Sequence, residues 1–298
     1  MKTKLQFFSL LLIGMICYSQ NTYVPDDNFE QALIDLGYDT APLDDYVPTA
    51  NIIAITSLYL YSKNISDLTG IEDFTSLEGL TCADNNLTSL DISNNTNLIS
   101  LNCSQNNLTN LNISTNTSLV QLSCSDNNLS SLDVSNNIAL EYLYVDNNNI
   151  TNLDLSENIS LYGLSCYNNN LTGLDLSTNT ELVYLYCNQN NISSINVSKN
   201  TALIEFSCSD NNLASIDIST LNNLVSFQCF NNNMSSLNVT NNINLLNLSC
   251  GGNQLNTLDV SQNTALQNLF CSFNNVCFKF FKGSHFFILF NRGGYPSA

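Results

Sequence analysis

The amino-acid sequence predicts an α/β repeat solenoid: short parallel strands stacked coil upon coil, mostly strand and irregular chain, with a helical cap at the N-terminal end. Three observations predict it. Leu77, Leu98, Leu119, Leu140, Leu161, Leu182, Leu203, Leu224, Leu245 and Leu266 follow one another at steps of 21 residues with no insertion, and a fixed period of that size marks an array whose units bury a core only by stacking. Each unit repeats LxxLxCxxNxLxxLDxSxNxx, two similar halves, so a shorter period is nested in the longer one. Ahead of the array stands a single stretch with helical rather than strand spacing.

That stretch, "PDDNFEQALIDLG", reads as a capped helix. Asp27 is placed as the N-cap, Glu30 closes a capping box three residues on, and Gly37 is the stop. Phe29, Ala32, Leu33 and Leu36 fall on one face, which suits a lid over the open end of a solenoid core. "APLDDYVPTA" is a turn-rich connector. The predicted boundaries are a signal peptide over 1–19, a helical cap over 20–54, the array over 55–276 and an aberrant C-terminal tail or cap over 277–298.

The signal peptide rests on a short basic start, "MKTK", and an apolar run too short to span a bilayer comfortably. Cys17 and Ser19 are small residues at the positions cleavage before Gln20 requires. A lipidated Cys17 is the competing reading, disfavoured by the bulky Ile16 before it. The expectation is a bacterial protein secreted or held at the cell surface, with no membrane insertion once the signal is removed.

The array resembles the bacterial leucine-rich repeats: the first half is LxxLxLxxN with Cys in the third apolar slot. The doubled 21-residue unit resembles the nested class sometimes called IRREKO. The unit "ITSLYLYSKNISDLTGIEDFTS" is 22 residues long and looks like an internalin-type repeat, with Lys63 where that family has Asn. The resemblance implies an exported, non-enzymatic recognition module for a protein or glycan, plausibly in adhesion.

Composition narrows the partners. Twenty-five acidic residues against 7 Lys and Arg give a formal net charge of -18, and Lys199 is the one basic residue from Leu77 to Val276. Nucleic acid, which is held by clustered Lys and Arg, is excluded as an expectation. The only histidine is His285 in the tail. With no nucleophile set, phosphate loop or zinc spacing, no catalytic residue, metal or cofactor is expected. A monomer is expected.

The conspicuous residues of each unit read as scaffold. Nine cysteines share one slot, whose tenth copy is Val145; a slot that accepts Val is apolar, and free Cys behaves as a small hydrophobe. In-register strands ~4.8 Å apart also hold parallel Cβ atoms too far apart for an unstrained bridge. Asn85, Asn106, Asn127 and their successors are read as a ladder satisfying turn donors and acceptors and stacking on one another; Asn95 and its successors repeat this in the second half, broken by Leu221. Asp91, Asp133, Asp154, Asp175, Asp217 and Asp259, replaced by Asn112, Asn196 and Asn238, face outward. Calcium could relieve their repulsion, against a solvated polar face.

Uniform slots hold the fold, so the variable outward slots are where a ligand would be read. Over most of the array these carry small polar residues such as Ser123 and Ser125. In the central coils they carry Tyr142, Tyr144, Tyr167, Tyr184 and Tyr186, all expected on one side of the sheet, with Phe230 and Phe270 in similar slots further on. These five tyrosines are the candidate ligand-binding residues; the alternative is cross-strand packing that merely steadies a passive envelope element. In the tail the repeat is lost, and Lys279 falls where the second-half Leu belongs.

Overall fold

The computed structural model describes residues 20–275, and beyond them only the backbone of the strands Cys277–Lys279 and Phe287–Leu289. The predicted signal peptide lies outside the described residues, as does the rest of the tail.

The N-terminal part opens with β1 (Asn21–Tyr23), then α1 (Asp27–Asp35), β2 (Tyr46–Pro48) antiparallel to β1, and the short α2 (Thr49–Ile52). The N-cap is Asp26, one residue earlier than expected: its Oδ1 accepts from Asn28 N and Phe29 N, both at 3.0 Å. Asp26 is preferred because its second oxygen is also used. Oδ2 accepts from Ser66 N, Ser66 Oγ and Asp67 N at 2.8, 2.7 and 3.0 Å, so one carboxylate both caps the helix and ties it to the first coil. Burial raises the Asp26 pKa, but these hydrogen bonds outweigh it and hold the group below its usual range.

Glu30 does not close a capping box. Its carboxylate is buried and accepts from Asp44 N at 2.7 Å and Asp45 N at 3.0 Å, pinning connector amides that need partners. Gly37, at φ 79°, stops the helix as expected. Phe29, Ala32 and Leu33 are buried, whereas Leu36, at the C-cap, is 43% exposed. The Phe29 ring stacks on Phe74 of the first coil at 6.3 Å.

The array forms one parallel sheet of 12 three-residue strands. In chain order they are β3 (Ser57–Tyr59), β4 (Gly79–Thr81), β5 (Ser100–Asn102), β6 (Gln121–Ser123), β7 (Tyr142–Tyr144), β8 (Gly163–Ser165), β9 (Tyr184–Tyr186), β10 (Glu205–Ser207), β11 (Ser226–Gln228), β12 (Asn247–Ser249), β14 (Asn268–Phe270) and β16 (Phe287–Leu289). The 21-residue period makes every pairing from β4 to β14 in register, as in Leu143 opposite Leu164. Beside this sheet, β13 (Thr257–Asp259) pairs with β15 (Cys277–Lys279). There Phe278, not Lys279, stands opposite Leu258, because the last turn is one residue shorter than the period. That shortening keeps an apolar residue in the Leu register and sets Lys279 opposite Asp259. Among the described residues no helix is long and apolar enough to cross a membrane.

The core is a set of columns running along the stack. The middle residue of each strand from β3 to β14 is buried, as are the nine ladder cysteines, all free, and Val145 in the same column. Burial pushes the thiols far from ionisation, with Cys103 and Cys187 up to about 12.

The asparagine columns differ from expectation in their partners. Asn127 Nδ2 donates to Cys103 O of the preceding coil and to Cys124 O and Ser125 O of its own, while its Oδ1 accepts from Leu108 N at 2.9 Å. The carboxamides therefore rivet main chain to main chain, and their hydrogen bonds go to the backbone of two coils and not to each other. In the second-half column only the amide is used: Asn137 Nδ2 reaches Ile113 O and Asn116 O, and its Oδ1 has no hydrogen-bond partner. Leu221 lacks the amide and so removes one rung, but Asn242 still bonds to its backbone carbonyl, at 2.8 Å, and the column resumes with the next coil.

The acidic slot is a local turn cap. Asp133 Oδ1 accepts from Ser135 N at 2.9 Å, and Asn112 does the same for Ser114 N at 3.1 Å. Hydrogen bonds from Ser135 hold Asp133 below its usual pKa. Asn and Asp interchange here because the turn needs one acceptor oxygen, not a charge.

Candidate functional site

The outward face of the sheet is built by period two: in each strand the central residue points into the core and the two flanking residues point away. Along β7, β8 and β9 the flanking pairs are Tyr142 and Tyr144, Gly163 and Ser165, Tyr184 and Tyr186. The tyrosine strands are thus separated by a strand with almost no side-chain bulk. Tyr142 and Tyr144 lie nearly parallel, centroids 6.5 Å apart with an interplanar angle of 13°.

A residue missed in the sequence joins the two strands. Tyr162, just before β8, meets Tyr142 edge-on at 5.7 Å and Tyr184 at 5.6 Å. Gly163 makes room for this: a Cβ there would stand 3.0 Å from Tyr142 Cδ1. Tyr162 occupies the 21-residue slot that elsewhere holds Ile99, Val120, Val183, Ile204, Val225 and Leu246, with Glu78, Glu141 and Gln267 as polar occupants. A lone aromatic in that row, next to a glycine in a strand, was the available signal.

The five predicted tyrosines divide into two groups. Tyr142, Tyr144 and Tyr184 belong, with Tyr162, to one aromatic row. Tyr186 and Tyr167 stand beside it, lining a hollow of about 330 Å³ with Phe230, Asn188, Gln228, Ser165 and Ser207. Gln228 also borders a second hollow of about 390 Å³ that ends at Phe270. A further hollow, about 510 Å³, is lined by second-half residues between Asn152 and Thr178, none of them aromatic. Its Asp154 and Asp175 carboxylates already cap their own turns.

Two acids that sequence reasoning passed over sit among the rings. Glu205 of β10 stands opposite Tyr184 in register, and its Oε2 accepts from Tyr186 OH at 2.5 Å. Burial first, then the Glu205 carboxylate, pushes the Tyr186 phenol well above its usual pKa. Asp146 follows β7 and is 7% exposed. Its Oδ1 accepts from Ser165 Oγ at 2.5 Å and Tyr167 N at 3.0 Å, and Ser125 Oγ donates to Oδ2 at 3.3 Å. Burial raises its pKa, only partly offset by these bonds. The Tyr167 hydroxyl accepts from Asn147 Nδ2 at 3.1 Å, which orients the ring.

The described residues contain two basic side chains, neither on this face. Lys63 pairs with Asp35 at 3.5 Å, and Lys199 lies in an exposed second-half turn. The one cluster among the described residues with three potential metal-ligating acids is Asp27, Glu30 and Asp45, in the N-terminal cap. There the Glu30 oxygens already hold two connector amides.

No family model matches the chain. A stretch of 77 residues, 26% of the chain, is 37% identical to Internalin J of Listeria monocytogenes serotype 4b (strain F2365), and covers 8% of that protein's length. Among solved structures, the functional domain of InlJ from Listeria monocytogenes, described as including a cysteine ladder, is 32% identical, with 87% of this chain and 72% of that one covered and a TM-score of 0.51. An internalin (inlF) from Listeria monocytogenes strain 4b F2365 is 25% identical, with 85% and 84% covered and a TM-score of 0.70.

Proposed function

The chain is an internalin-like bacterial leucine-rich-repeat protein, and we propose that the sheet face around β7–β9 is a recognition surface for a protein or glycan ligand, used in adhesion or another surface interaction. The observation that carries this is the concentration of rings. Tyr142, Tyr144, Tyr162, Tyr184, Tyr186 and Tyr167 fall in three successive coils, on a face where neighbouring coils carry mainly Ser, Thr, Asn and Gln. Tyrosine supplies large contact area at low ordering cost, and it anchors interfaces for that reason. On this reading the protein is a non-enzymatic monomer, exported by the leader "MKTKLQFFSLLLIGMIC" and secreted or held at the cell surface. On the same reading it belongs to the nested 21-residue class, which its doubled unit supports.

One observation favours a second reading. The edge contacts that Tyr162 makes with Tyr142 and Tyr184 also steady the sheet, as a passive envelope element would need. Protein and glycan arrays probed with wild type and with Tyr144→Ser/Tyr186→Ser separate the two. Capture lost in the double variant, with an unchanged circular dichroism spectrum, is the expected result. Capture that persists sinks the recognition face, and no capture by wild type supports the passive role. A chelator arm tests the remaining alternative, a calcium-dependent module.

A further inference from the structure

The recognition face leaves open what kind of ligand it takes, and its charges narrow that choice. Glu205 lies half-buried between Tyr184, its partner in register, and Tyr186, whose hydroxyl it holds. Asp146 is buried beside Tyr167, and the exposed Glu141 directly precedes Tyr142. No Lys, Arg or His among the described residues faces these acids. Carboxylates set into an aromatic surface without a counter-charge are costly to cover with a neutral partner and more costly to cover with an acidic one. A cation reverses that sign.

Resting on the recognition reading above, we infer that the ligand is a protein segment presenting an arginine or lysine, whose charge sits on Glu205 and whose guanidinium plane or aliphatic stem lies against Tyr184 and Tyr186. The rings add to the carboxylate rather than merely surrounding it. A cation within about 6 Å of a tyrosine face is attracted by the ring itself, and arginine matches a carboxylate in a two-point fork. The hollow beside Tyr186, about 330 Å³ and lined by Ser165, Ser207, Asn188 and Gln228, gives the remainder of such a side chain polar company. The formal net charge of -18 draws a basic partner in from a distance. Sialylated or sulfated glycans, being anionic, are disfavoured on the same ground.

The test is fluorescence anisotropy of the full chain with two labelled Gly/Ser peptides, one carrying three arginines and the other three citrullines, which keep the shape and lose the charge. The arginine peptide should bind and the citrulline peptide should bind roughly ten-fold more weakly or not at all. Glu205→Gln, which keeps an acceptor for Tyr186, should weaken arginine binding roughly ten-fold, and Tyr184→Ser should weaken it as well. Asp133→Asn removes the same charge from the distant turn ridge, in a slot where Asn112 shows asparagine to be tolerated, and should change binding less than about two-fold.

Equal losses for Glu205→Gln and Asp133→Asn would mean diffuse attraction to an acidic chain and would overturn the site. So would equal binding of both peptides, or no binding of the arginine peptide. A ligand captured on the arrays through Tyr144 and Tyr186 but indifferent to Glu205→Gln would overturn the cationic ligand while leaving the recognition face standing.

Discussion

The Tyr186 hydroxyl donates to the Glu205 carboxylate at 2.5 Å across neighbouring strands of one sheet. The pair couples a ring beside the Tyr142, Tyr162 and Tyr184 row to one of the acids of the same face. Its behaviour with pH follows from the direction of the phenol shift. A pKa raised in the folded state means stabilisation present below the ordinary tyrosine pKa of about 10 and lost as pH rises through the folded value. Tyr186→Phe should therefore lower stability at neutral pH by only about 0.5–1 kcal/mol, since solvent screens the partly exposed pair. It should also flatten the decline of stability above about pH 10. Urea melts of both proteins across that range check it; parallel pH profiles would contradict it.

Gly163 is the spacer that lets Tyr142 and Tyr184 meet through Tyr162. An added methyl group 3.0 Å from Tyr142 Cδ1 must push the ring aside. Gly163→Ala should cost no more than about 1 kcal/mol in urea, because a surface ring can move. It should nevertheless change the near-ultraviolet tyrosine dichroism and weaken whatever the face captures. An unaltered spectrum would show that the aromatic row does not depend on the glycine.

The two asparagine columns should answer differently to substitution. Asn127→Ala leaves the buried Leu108 N without a partner and takes one of two amide donors from each of Cys103 O and Cys124 O, and should cost roughly 2–3 kcal/mol. Asn137→Leu copies what the chain already does at Leu221, and should cost less than about 1.5 kcal/mol. Denaturant midpoints on the two single variants make the comparison. Similar costs would mean that both columns bear the same load.

Asp146 should show the opposite pH sense to the turn-capping aspartates. Its raised pKa means that its contribution is greatest at low pH and is lost as pH rises through the folded value. Asp146→Asn keeps an acceptor for Ser165 Oγ and Tyr167 N without the buried charge, so it should gain stability over wild type progressively from acid to neutral pH. Asp133→Asn should do the reverse. The Asp133 pKa is lowered, its contribution is lost as pH falls through the folded value, and removing it should cost most at neutral pH. Thermal melts of the three proteins at acid and neutral pH decide this, and a pH-independent offset for Asp146→Asn would refute it.

Legibility in the sequence tracked repetition. Val145 in the cysteine column marked that column as core before any coordinates, and the structure buries it with its neighbours. Leu221 showed that the second asparagine column tolerates an apolar residue, but not why; the reason is that Asn242 bonds to a carbonyl that any residue supplies. Five tyrosines of the candidate face could be named from period two alone. Tyr162, Glu205 and Asp146 could not: Tyr162 lies just outside the strand, Glu205 and Asp146 are acids in slots read only for aromatics, and each acquires meaning from the coil beside it.

The sequence by itself determined the coil, its 21-residue pitch, the in-register sheet and the side of that sheet which varies. These are consequences of local spacing repeated along the chain, and stacking adds nothing to the information. Only the tertiary structure decided which residues of different coils meet: Asp26 with Ser66, Tyr162 with Tyr142 and Tyr184, Tyr186 with Glu205. Strand register brings residues about 21 positions apart to within hydrogen-bonding distance, but side-chain reach and the space left by Gly163 choose among them. That choice made a row of similar slots into one aromatic, anionic face.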